Sequence, residues 1–114
     1  MHVAVELPTY VNQAKKLKLS DYERELIVTH ISFNPRGGEV ISGTGGVRKV
    51  RVPLADKGKS GGYRVISYYC GEDAPVILIS IFKKTKQLSL TSEDKNRMKV
   101  LTQIIDSELK GRKA

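Results

Sequence analysis

Three stretches decide the fold of this 114-residue chain: Val47-Arg48-Lys49-Val50-Arg51-Val52-Pro53, Tyr63-Arg64-Val65-Ile66-Ser67-Tyr68-Tyr69-Cys70, and Val76-Ile77-Leu78-Ile79-Ser80-Ile81-Phe82. β-branched and aromatic residues dominate the second and third, and in the first Val47, Lys49 and Arg51 alternate with Arg48, Val50 and Val52. Pro53 marks the end of the first stretch or an edge position. The first connection, Asp56 to Gly62, is rich in glycine and lysine, and the second, Gly71 to Pro75, reads as a turn. Three successive strands with short connections predict an antiparallel meander.

Working outward, Val3, Val5 and Leu7 alternate up to Pro8 and predict a short first strand. Pro8 then opens a short helix through Tyr10, Val11, Ala14 and Leu17. Ser20 and Glu23 form an S-x-x-E capping box. The helix it opens carries Tyr22, Leu26, Thr29, His30 and Phe33 at three- and four-residue spacing, and Asn34-Pro35 with Gly37-Gly38 ends it. Gly37 to Gly46 reads as an irregular connection. Thr91 or Ser92 caps a closing helix whose apolar positions are Met98, Leu101, Ile104, Ile105 and Leu109. The expected order is β-α-α-β-β-β-α: one α+β domain over residues 1–114, a small antiparallel sheet with helices packed on one face.

Composition narrows the function. Twenty Lys and Arg against twelve Asp and Glu leave a net charge of +8, in a chain that is still 39% hydrophobic. That excludes a disordered polar tail and points to a polyanionic partner. The first 42 residues are charge-neutral, whereas Gly43 to Lys86 carry nine basic residues against three acidic ones. One cysteine, Cys70, and two histidines, His2 and His30, supply neither an internal disulfide nor a Cys-His zinc framework; Cys70 and His30 read as packing residues. A reducing, cytoplasmic setting fits, with no signal peptide and no apolar run long enough for a bilayer. The Gly-rich stretches are not a Walker loop, because strands rather than a helix follow them.

Gly43-Thr44-Gly45-Gly46-Val47-Arg48-Lys49-Val50-Arg51, followed by Lys57-Gly58-Lys59-Ser60-Gly61-Gly62-Tyr63-Arg64-Val65-Ile66, resembles the RelE/HigB toxins of bacterial type II toxin–antitoxin systems, and the HigB branch most. The resemblance runs over essentially the whole chain. It implies a RelE-like fold and a ribosome-dependent mRNA endonuclease that inhibits translation. It also implies a cognate antitoxin, of the HigA-like helix-turn-helix kind, which holds the toxin inactive and takes the pair to operator DNA. Neither cofactor nor metal is implied, since the nucleophile is the RNA 2′-hydroxyl. The matching catalytic positions are Lys49, Arg51, Arg64 and Lys84. Well-known members also use a tyrosine in the closing region; this chain has Phe82 and Leu90 there and no tyrosine after Tyr69.

Strand geometry supports the same face independently. Residues two apart point the same way, so Lys49 and Arg51 project together, and Arg64 can reach them from the next strand if the register allows. Crowded cations favour a bound phosphate, onto which Arg51 and Arg64 can fork. Lys49, beside two arginines, could release its proton and act as general base, with Lys84 or another cation assisting the leaving 5′-oxygen. Arg48, Lys57, Lys59, Lys83 and Lys86 are expected to contact RNA or the ribosome, and Tyr68, on the side of Arg64, to stack on a base. Two other readings fit the composition. One is a ParE-like gyrase inhibitor without nuclease chemistry, and the other is a non-toxic basic RNA-binding module.

Overall fold

The computed structural model describes residues 2–54, 62–86 and 88–113. Its elements are β1 (Ala4–Glu6), α1 (Pro8–Lys16), α2 (Asp21–Phe33), β2 (Glu39–Val40), β3 (Val47–Val52), β4 (Tyr63–Tyr68), β5 (Val76–Lys83) and α3 (Ser92–Lys113). The meander is present, with β3 and β4 antiparallel and β4 and β5 antiparallel. Two strands extend it into a five-stranded sheet in the order β1-β5-β4-β3-β2.

The sheet is mixed rather than wholly antiparallel, because β1 lies parallel to β5, with Val5 opposite Ile77. The chain between them returns to the same edge after two helices and three strands, so no hairpin constrains their direction. The connection from Gly37 to Gly46 also contains a strand: Glu39 and Val40 pair with Lys49 and Arg48. Gly38 makes this approach possible, since its φ is +79° and a β-carbon there would collide with the Lys49 carbonyl oxygen.

The helices cover two faces, not one. Tyr10 and Ala14 of α1 and Ile27 and Ile31 of α2 pack with Val50, Val52, Val65, Leu78 and Ile81. On the other face, Met98, Leu101 and Ile105 of α3 pack with Val47, Ile66, Tyr68, Ile77 and Ile79. Each fully buried aliphatic side chain contributes roughly 1.5–3 kcal/mol. Ile104 of α3 is exposed instead.

Both long helices start as their sequences dictate. The Ser20 hydroxyl accepts from the Glu23 amide at 3.1 Å, while the Glu23 carboxylate accepts from the Ser20 amide at 2.9 Å. Thr91 caps α3 through the same reciprocal pair with Asp94. The inward face of α2 differs from the expected one: Tyr22 and Phe33 are 68% and 63% exposed, whereas Ile27 and Ile31 are fully buried.

A bulge interrupts the register between β4 and β5. Ile66 pairs with Ser80 but Ser67 pairs with Leu78, so Ile79 is an extra residue. Side-chain direction therefore changes along β5. Ile77 and Ile79 face α3, Ile81 faces α1 and α2, and Phe82 joins the α3 side beside Arg64.

Candidate active site

The α3 side of the sheet is only partly covered. Helix α3 lies over Val47 and Tyr68 and is fastened there by the Tyr68 hydroxyl, which donates to both carboxylate oxygens of Asp106 at 2.8 and 3.0 Å. Gly45 lets it approach, because a β-carbon there would meet the Thr102 hydroxyl at 2.6 Å. The other end of the same face carries Lys49, Arg51 and Arg64.

These three line a hollow of about 300 Å³ together with Gly38 and Glu39. Arg51 and Arg64 are direct cross-strand partners, and Lys49 stands opposite Glu39 on β2. Like charges directly opposite each other destabilise a sheet by roughly 0.2–1 kcal/mol. No ion pair within 4 Å neutralises Lys49, Arg51 or Arg64 among the described residues. Two guanidinium forks and an ammonium around one hollow are suited to a phosphate, and to the additional negative charge of a pentacovalent transition state.

The other candidate residues divide by position. Lys84 lies just past the end of β5, outside the hollow, with its amide donating to the Gly62 carbonyl at 3.3 Å. Arg48 points to the opposite side, where its guanidinium donates to the Arg36 carbonyl at 2.9 Å. Tyr68 is on the expected face but buried beneath α3. Burial first, then the hydrogen bond to Asp106, pushes its hydroxyl well above the ordinary tyrosine range. Lys83 and Lys86 border a separate pocket between α1 and β5. Lys57 and Lys59 lie outside the described residues.

Cys70 is half-buried, and burial, with a smaller effect of the Asp106 charge, pushes its thiol up to about 11. A thiol of this kind is a poor nucleophile at neutral pH. His30 is partly exposed on α2, away from the hollow.

Glu39 escaped the sequence reading. Its strand is two residues long and sits between glycine-rich segments, so no alternation marks it. The available signal was its place directly after Gly37-Gly38, where the chain is free to approach β3.

A family profile for the RelE toxin of the RelE / RelB toxin-antitoxin system matches residues 9–111. The chain belongs to the RelE toxin family. It is therefore the toxin of a toxin–antitoxin system, with a cognate antitoxin as partner, and toxins of this family are in general endoribonucleases that inhibit translation. Among the described residues, no helix is long and apolar enough to cross a membrane.

Proposed function

We propose that this RelE-family toxin is a ribosome-dependent mRNA endonuclease of the HigB-like branch, acting in the cytoplasm and cutting without a metal ion. The convergence of Lys49, Arg51 and Arg64 with Glu39 around one open hollow carries this reading. Arg51 and Arg64 hold the non-bridging oxygens of the scissile phosphate. Glu39 takes the proton of the adjacent 2′-hydroxyl, whose oxygen attacks phosphorus. The bond from phosphorus to the 5′-oxygen breaks, and Lys84 protonates that leaving oxygen. The products are a 2′,3′-cyclic phosphate and a 5′-hydroxyl end.

Glu39 suits the role of base better than Lys49, because a carboxylate accepts a proton directly whereas an ammonium must first lose one. Lys49 then remains a cation beside the phosphate. The antitoxin is of the helix-turn-helix kind and carries the complex to operator DNA.

Translating ribosomes supplied with purified toxin test this reading. Codon-phased cuts in ribosome-bound mRNA, absent from naked mRNA, are expected. Intact mRNA together with inhibited gyrase would replace it with the ParE-like reading, and full growth on expression would replace it with the RNA-binding module.

A further inference from the structure

The pocket between α1 and β5 is separate from the phosphate hollow and shares no lining residue with it. It encloses about 370 Å³, within the range of about 300–1,000 Å³ common for small-molecule sites. Leu17, Phe82 and Leu88 supply apolar walls, and Lys16, Lys83 and Lys86 supply cations. Phe82, a wall of this pocket, is the cross-strand partner of Arg64, a wall of the hollow. Apolar walls beside cations, next to a phosphate site, match a nucleotide whose base leaves the strand.

Gln13 gives the pocket a direction. Its side-chain oxygen accepts from the Ile81 amide and from the Ser80 hydroxyl, each at 2.8 Å. The Ile81 amide can only donate, so the carboxamide orientation is determined and its nitrogen is the atom left for a ligand. That nitrogen makes no hydrogen bond among the described residues. With its oxygen committed, Gln13 offers donors only.

We propose that this pocket binds the base of a nucleotide flanking the scissile phosphate, and that Gln13 selects bases bearing a carbonyl oxygen. Guanine, cytosine and uracil carry one; adenine does not, and its exocyclic amino group meets a donor with a donor. The proposal rests on reading the Lys49–Arg51–Arg64 hollow as a phosphate site.

The test uses full-length protein and three probes: guanosine 3′-monophosphate, adenosine 3′-monophosphate and inorganic phosphate, followed by amide chemical shifts. The guanosine nucleotide should move the Leu17, Ile81 and Leu88 amides and bind about tenfold more tightly than the adenosine nucleotide. Gln13→Glu keeps an oxygen for Ile81 and Ser80 but replaces the donors with an acceptor. It should collapse or reverse that ratio while its thermal midpoint stays that of the wild type. An unchanged ratio in Gln13→Glu overturns the assignment. So do silent pocket amides when inorganic phosphate moves Lys49 and Arg64, an outcome that leaves the phosphate reading standing. Silence at both places overturns both.

Discussion

Arg51 and Arg64 face each other across β3 and β4 with no carboxylate within ion-pairing distance among the described residues. Such opposition costs stability and is tolerated where a ligand anion uses it. Arg51→Thr should therefore raise stability by a few tenths to about 1 kcal/mol while reducing RNA cleavage sharply; denaturant midpoints and cleavage rates measure the two effects. Glu39→Gln should lower the cleavage rate by about 10²- to 10⁴-fold with little change in RNA affinity, a split that a purely structural role for Glu39 would not produce. That Lys49 and Arg51 share a face was legible from strand alternation, whereas the placing of Arg64 opposite Arg51 depended on the register of β3 with β4. The burial of Tyr68 was not, because alternation assigns a face but does not say how far a distant helix extends over it.

At the scale of elements, α2 shows how a correct helix can be given the wrong inward face. Tyr22, Leu26 and Phe33 obey helical spacing as well as Ile27 and Ile31 do, and only the placement of β1 and the sheet selects the latter. The Ser20–Glu23 capping box was legible because its partners are three residues apart, and the cap of α3 was narrowed to Thr91 or Ser92; the β5 bulge was not legible, because it depends on pairing with β4.

The fastening of α3 makes a testable prediction. Tyr68→Phe removes the hydroxyl that donates to Asp106 and should destabilise the fold by about 1.5–3 kcal/mol, read as a lower urea midpoint.

Alkaline pH should act in the same direction. Burial raises the Cys70 thiol from 9.0 to about 11, and it raises the Tyr10 and Tyr68 hydroxyls above their ordinary range. All three groups hold their protons more tightly folded than unfolded. Their contribution is thus fully present at neutral pH and is lost as pH climbs from about 9 upward. Urea midpoints at neutral pH and at about pH 10 should show the decline.

Across the whole molecule, the charge is segregated. The open end of one sheet face carries Lys49, Arg51 and Arg64, and the pocket between α1 and β5 carries Lys16, Lys83 and Lys86. Apart from Glu39 in the hollow, acidic residues gather elsewhere, with Asp21 and Glu25 around a shallow hollow beside α2 and Glu72 and Asp73 near β1. This division was visible in the sequence as a basic middle segment after a neutral start. What the linear order concealed was that α1, from the neutral part, contributes Gln13 and Lys16 to the basic end. Ribosome affinity should accordingly fall linearly in a log–log plot against salt, more steeply for the wild type than for Lys83→Ala combined with Lys86→Ala.

The central claim is that the RNA's own 2′-hydroxyl is the nucleophile, activated on the Lys49–Arg51–Arg64 face. It is tested most directly by placing a single 2′-deoxynucleotide at a mapped cut site in mRNA on translating ribosomes. Cutting should disappear at that position alone, and the remaining cuts should end in 2′,3′-cyclic phosphates. Continued cutting at the deoxy position would contradict it.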